Sequence, residues 1–234
     1  MTDNHNPTED RHTLSAFDED LRGLRTLITE MGGLAEVSLE NALTTLVRRD
    51  TQLASLIIDD DKRIDAIEAK VGQHIIGLIV RRAPMADDLR EVLAAHRIAG
   101  MIERIGDYSK TIAKRVPQLT STPPADLQTM LLDLGTGVRS MLKSALDAFG
   151  ERDAQMAAAV RERDREIDDL YNRLFLALLG TMMKPSADIA TSAQLLFIAK
   201  SLERVGDQAT NIAELVYFAV TGEQLPDRKT SPTP

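Results

Sequence analysis

Apolar residues recur three and four apart through most of the chain, the spacing of one face of an α-helix. Leu53, Ile57, Ile64, Ile67, Val71, Ile75 and Leu78 form one such stripe. The stripes break at Arg49-Asp50, at Ala83-Pro84-Met85, across Pro117 to Pro124, at Gly150 to Asp153 and at Lys184-Pro185-Ser186. The pattern predicts helices near 14–48, 51–82, 86–116, 125–149, 154–183 and 187–221. Asp50, Asp153 and Ser186 are candidate N-caps, because a short oxygen-bearing side chain at that position accepts from the free amides of the first turn. No segment shows the alternation or hairpin turns of a sheet. Long helices joined by short connections pack antiparallel. The expected class is therefore all-α: a tandem repeat of two antiparallel three-helix bundles, or else one continuous six-helix array.

The pattern also repeats. Ile98 to Lys114 aligns without a gap on Ile198 to Glu214, and Glu103-Arg104-Ile105-Gly106-Asp107 returns as Glu203-Arg204-Val205-Gly206-Asp207. Upstream, Arg49-Asp50 to Asp65 matches Arg152-Asp153 to Asp168 at an offset of 103. The expected organisation is a tail over 1–12, a first bundle over 13–117, a linker over 118–124, a second bundle over 125–221 and a tail over 222–234. The two tails read as disordered.

Composition narrows the classes. Hydrophobic residues make up 43% of the 234, enough for a core, but aromatic residues only 3%, so aliphatic side chains must fill it. A net charge of −8 argues against a nucleic-acid partner, which selects a basic surface. With no cysteine, disulfides, thiolate metal sites and cysteine nucleophiles are excluded. The apolar run Leu174 to Met183 is about half the ~20 residues of a membrane span, so contact with a membrane is expected only through partners.

The chemistry lies in the repeated carboxylates. In Glu-x-x-x-Asp both acids lie on one helix face. With Pro84 as the corner of a hairpin, Asp65 and Asp61 lie 19 and 23 residues before it, and Glu103 and Asp107 lie 19 and 23 after. Around Pro185, Asp168 and Asp164 lie 17 and 21 before, and Glu203 and Asp207 lie 18 and 22 after. In an antiparallel pair each set of four meets at one height. Their mutual repulsion requires bound cations, arginines or protons. An all-oxygen site without His or Cys suits hard ions such as Mg²⁺, Mn²⁺, Ca²⁺ or oxidised iron. The competing reading is salt bridging, with Lys62, Arg63 or Arg165 pairing with Glu103 and Glu203. Gly106 and Gly206 stand where di-iron bundles carry the His of Glu-x-x-His. They allow close approach of a neighbouring backbone or an ion. His74, His96 and Met182-Met183 read as packed residues, and His5 and His12 fall in the expected tail. Met31-Gly32-Gly33 lacks the strand and the Lys-Ser/Thr of a phosphate loop.

Met31-Gly32-Gly33, the two Glu-Arg-x-Gly-Asp motifs, Ala209-Thr210-Asn211-Ile212-Ala213-Glu214 and the two-copy layout together resemble the PhoU family of phosphate-signalling regulators, over about Thr13 to Thr221. The resemblance implies paired three-helix bundles and metal clusters, often iron or zinc, with manganese or magnesium also compatible with the donors. It implies Glu103, Asp107, Glu203 and Asp207 as ligands. Asp61, Asp65, Asp164 and Asp168 are added by their height, and Asn211 and Glu214 extend the second set, where the first copy has Thr111 and Lys114. Lys114 is expected to weaken the first site for cations. The resemblance further implies a cytoplasmic, non-enzymatic negative regulator of phosphate uptake and of the starvation response. Such a regulator links the ATPase PstB of the phosphate ABC transporter to the sensor kinase PhoR, commonly as a homodimer. The alternative class is a carboxylate-bridged metal-dependent enzyme, and a third is a helical scaffold with solvated acids.

Overall fold

The computed structural model describes residues 7–185 and 188–226. Six α-helices account for nearly all of them: α1 (Pro7–Arg48), α2 (Thr51–Arg82), α3 (Ala86–Arg115), α4 (Ala125–Glu151), α5 (Ala154–Met182) and α6 (Ile189–Thr221). A 3-10 turn follows α3 at Val116–Gln118. Within Met1–Val116, α1 packs on α2 and α3, and α2 packs on α3; within Pro117–Pro234, α4, α5 and α6 pack likewise. Each unit is a three-helix bundle. The fold is the all-α tandem bundle, and no strand occurs among the described residues.

The first corner of each bundle is built by the same device. Arg49 and Arg152 adopt left-handed backbone conformations, each with φ 55°, which turn the chain out of the preceding helix. The next residue is an aspartate that caps the following helix. Asp50 Oδ1 accepts from the Gln52 and Leu53 amides at 3.0 Å, and Asp153 Oδ1 accepts from Gln155 at 2.8 Å and Met156 at 3.0 Å. Such caps satisfy amides that have no partner inside the helix. The cap of α6 differs from the expectation. Ser186 lies outside the described residues, and Asp188 does the capping, accepting from the Thr191 amide at 3.0 Å. Its other oxygen accepts from the hydroxyls of Thr120 and Ser121. These bonds hold its carboxyl well below the usual carboxylate range. The stretch expected to be a plain linker is thus tied at its middle to the start of α6.

Two boundaries move. Helix α1 begins at Pro7, so Pro7 to His12 are helical; of the expected C-terminal tail, 222–226 are described, with Gly222 capping α6 and Arg161 donating to the Leu225 and Pro226 carbonyl oxygens, while 1–6 and 227–234 lie outside the described residues. Two apolar assignments also fail. Met183 is 86% exposed because it lies just past the end of α5, and His96 is exposed on the outer face of α3. His74 is half-buried, with Nε2 2.7 Å from the Asp20 carbonyl oxygen.

Aliphatic side chains fill both cores. Leu24, Ile28, Met31, Ile57, Ile64 and Ile102 are buried in the first bundle, and Leu134, Val138, Met141, Leu174 and Leu202 in the second. Two buried carboxylates break the rule: Glu91 on α3, paired with Arg25, and Asp61 on α2. Asp61 occupies the buried stripe of α2 between Ile57 and Ile64 and is only 4% exposed. Gly106 makes room beside it. A Cβ there would lie 2.9 Å from Ile64 Cδ1 and 3.3 Å from Asp61 Oδ1. In the second copy a Cβ on Gly206 would meet Ile167 at 3.3 Å.

The two kinds of glycine predict opposite outcomes. Gly106→Ala is expected to cost about 1 kcal/mol, since the overpacking penalty exceeds the gain in helix propensity. Gly180→Ala, with nothing within 4 Å of the new methyl, is expected to stabilise by up to about 1 kcal/mol. Urea unfolding of the two variants checks the contrast, and equal effects contradict this account of the α2–α3 contact.

Candidate metal centre

The facing helices bring the predicted carboxylates together. In the first bundle, burial and the charges of Asp107, Glu68 and Asp65 push the Glu103 carboxyl upward. In the second, burial and then the charges of Glu203 and Asp164 push Asp207 up to about 6; Asp168 adds to this and Lys200 opposes it. The contact of Lys110 on α3 with Asp61 on α2, and of Thr210 on α6 with Asp164 on α5, sets the helices of each bundle together at the height of the acidic motifs. Glu68 went unnoticed in the sequence. It lies within a turn of Asp65, and a search for any carboxylate near that height finds it.

What neutralises the acids differs between the copies. In the first bundle the Lys110 ammonium bridges two of them, donating to Asp61 and, at 2.9 Å, to Asp107. The two acceptors hold its pKa above the usual lysine value. The position corresponding to Lys110 is Thr210, whose hydroxyl donates to Asp164 Oδ1 at 2.9 Å. A neutral hydroxyl thus stands where the first copy has a cation. The second bundle carries its own lysine at the opposite end of the motif. Lys200 donates to Glu203 Oε1 at 2.7 Å and sits 5.4 Å over the Tyr171 ring. The first copy has Gly100 and Glu68 at those two places, with Glu68 Oε1 3.8 Å from where a Gly100 Cβ would be. The lysines therefore lie one turn after the motif in the first bundle and one turn before it in the second.

The other expected cross-helix pairs take different partners. Lys62 pairs with Asp59 at 3.3 Å and Arg63 with Asp60 at 3.4 Å, both exposed and within α2. Exposed pairs of this kind contribute little to stability. The nearest basic group to the Asp61–Asp107 pair is Lys110 rather than the expected Lys114: one turn from Asp107 places the ammonium between the helices. Glu214 is engaged by Arg161, 3.3 Å away.

A cavity of about 610 Å³ opens at the second motif, lined by Arg161, Asp164, Asp207, Gln208, Asn211 and Glu214, with Thr210 at its wall. Gln208 is 9% exposed, and its Oε1 is buried without a hydrogen-bond partner. Glu203 Oε2 is likewise buried and unpartnered. No set of three or more His, Cys, Asp or Glu side chains stands in ligating arrangement among the described residues. The donors at the cavity are three carboxylates, of which Glu214 is paired with Arg161, with amide and hydroxyl oxygens. That set fits a hard, partly hydrated divalent cation.

A duplicated three-helix bundle with an acidic motif on the facing helices of each copy defines a class of tandem acidic-bundle proteins. The comparisons place it more narrowly. The PhoU domain matches twice, over residues 28–116 and 131–216, and the chain belongs to the PhoU family. It is 50% identical over 217 residues, 93% of this chain and 92% of the other, to the phosphate-specific transport system accessory protein PhoU homolog of Zymomonas mobilis. PhoU from Pseudomonas aeruginosa superposes with a TM-score of 0.85 at 32% identity, covering 88% of this chain and all of that one. The phosphate transport system regulatory protein PhoU from Streptococcus pneumoniae superposes with a TM-score of 0.83 at 31% identity, covering 90% and 99%.

The raised Asp207 carboxyl has a consequence for stability. A group that holds its proton to higher pH in the folded chain makes the folded state bind the extra proton, so stability is lost as pH rises from about 4 to about 6. Asp207→Asn removes the loss. In chelator-treated protein the variant is expected to be more stable than wild type at pH 7 by about 1 kcal/mol, the shift being discounted for solvent exposure, and nearly equal to it at pH 4. Denaturant titrations at the two pH values test this. A difference of the same size at both would contradict the assignment.

Proposed function

We propose that this chain is a cytoplasmic accessory protein of phosphate transport and a negative regulator of phosphate uptake and of the starvation response. It acts as a metal-binding adaptor between the transporter ATPase PstB and the sensor kinase PhoR, and it works as a homodimer. The observation that carries this reading is the continuous likeness, across both bundles, to proteins named as accessory and regulatory components of phosphate transport. Those names also support a role other than catalysis. No helix of the described residues is long and apolar enough to cross a membrane, which is compatible with an adaptor that reaches the transporter from outside the bilayer. Exposed apolar positions suit a protein that works by contact: Ile76 and Val80 on α2 are matched in the second copy by Leu179 on α5 and Met183 just after it.

Metal binding belongs to the same proposal. The carboxylates at the acidic motifs would hold the cation, and the buried unpartnered oxygens of Glu203 and Gln208 support a ligand at the second motif. A bound divalent cation would fix α5 against α6 by replacing carboxylate repulsion with attraction, so that metal occupancy and bundle rigidity rise together.

Deletion of the gene is expected to raise expression of phosphate-starvation genes several-fold in phosphate-rich medium, with restoration by the intact gene supplied in trans. Unchanged expression in a strain with no second copy of the gene contradicts the regulatory reading.

A further inference from the structure

Helix α6 runs past its pairing with α5, and the chain then turns back on it. Glu214 pairs with Arg161 of α5 at 3.3 Å, and α6 continues as far as Thr221. Gly222, with φ 77°, ends the helix in a left-handed conformation, and the Thr221 hydroxyl oxygen accepts from the Glu223 amide at 3.1 Å. Leu225 and Pro226 thereby return to the level of Glu214. There Arg161 donates to the carbonyl oxygen of each, at 3.2 Å and 2.8 Å. One guanidinium thus holds both α6 and the segment that follows it. The sequence continues as Asp227-Arg228-Lys229, and in 227–234 the two basic residues outnumber the single acid.

Arg161 also lines the cavity of about 610 Å³, whose other charged groups are Asp164, Asp207 and Glu214. Three carboxylates therefore face one guanidinium. Asp164 lies one turn along α5 from Arg161, about 4.5 Å of helix. The two to three residues beyond Pro226 cover up to about 7–10 Å when extended, before any side chain is counted. Arg228 and Lys229 are within reach of Asp164 and Asp207.

We infer that the segment after Pro226 straps across this cavity, with Arg228 and Lys229 seated against Asp164 and Asp207, and that Arg161 directs it there by holding the Leu225 and Pro226 carbonyls. The first bundle needs no such strap. Its Lys110 ammonium serves Asp61 and Asp107 from within α3, whereas Thr210 stands at that place in α6. Its counterpart of Arg161 is Ile58, which has no guanidinium to hold a returning chain. Ion pairs of this exposed kind are individually weak, but basic residues tethered a few positions from their partners act at high effective concentration. The inference goes beyond the regulatory reading and does not rest on metal binding. The strap and the divalent cation proposed above would compete for the same carboxylates, so the test is made on metal-free protein and the two readings fail separately.

Limited digestion with trypsin reports the strap directly, because the protease must take the Arg228 or Lys229 side chain into its own pocket to cut there. Mass spectrometry follows cleavage in the full chain, purified without a His-tag and stripped with chelator. Cleavage after Arg228 and Lys229 in wild type is expected to be about tenfold slower than in a free peptide of residues 222–234. Asp164→Asn/Asp207→Asn is expected to bring the rate close to that of the peptide. Glu103→Gln/Asp107→Asn, in the first bundle, is expected to leave the protection in place. Wild type cut as fast as the peptide, or protection undiminished in Asp164→Asn/Asp207→Asn, overturns the inference. Protection that fades when the chain is diluted also overturns it, since the cavity would then hold the segment of a second copy. Circular dichroism verifies that the variants fold. If Asp164→Asn/Asp207→Asn does not, the ¹⁵N heteronuclear NOE of Lys229 in wild type decides: a value near that of α6 supports the strap, and the value of a free chain end overturns it.

Discussion

Electrostatic repulsion between carboxylates on facing helices is the constraint around which both bundles are organised. Four or five acids meet at one height between α2 and α3, and again between α5 and α6. Apolar packing above and below holds the helices close enough that the acids cannot separate. Gly106 and Gly206 bring the helices closer still, which tightens the core and sharpens the repulsion. A bundle built this way has to place positive charge at the motif. Here one copy does so with a lysine that bridges two acids, and the other with a lysine on Glu203 alone, beside a walled opening.

Duplication explains how the arrangement arose and where it diverged. The Arg-Asp corner is kept in both copies, down to the left-handed arginine and the pair of amides its aspartate accepts from. So is the acidic motif. The divergence lies in the residues around the motif: Lys110 against Thr210, Gly100 against Lys200, Glu68 against Tyr171. Together they move the lysine ten residues along the helix, from one end of the motif to the other, and remove one acid. These exchanges leave the helical bundle in place but alter which carboxylates carry a lysine partner.

Much of this was legible in the sequence. The helix corners showed because Asp50, Asp153 and the prolines interrupt the three-and-four spacing. The meeting of the acids showed because equal distances from a corner give equal heights in an antiparallel pair. Four things did not show. The start of α1 at Pro7 was hidden because the polar N-terminal stretch carries no apolar stripe. Met183 and His96 were misplaced because an apolar or aromatic residue at the end or edge of a stripe rotates outward with a small change of helix phase. The choice of Lys110 over Lys114 depended on where the ammonium lies between two helices, which spacing along one helix does not give. Glu68 was missed because it lies outside the repeated motif and has no acidic counterpart in the second copy.

The central claim is that the two motifs are neutralised differently: Lys110 bridges Asp61 and Asp107 in the first, and the cation proposed above would sit between Asp164 and Asp207 in the second. Anomalous diffraction from crystals of the full chain grown with Mn²⁺ tests it most directly, since the signal locates the ion without reference to affinity. One peak between Asp164 and Asp207, with the Lys110 ammonium ordered between Asp61 and Asp107, is the predicted result. A peak of similar height between Asp61 and Asp107, with Lys110 displaced, would contradict the account.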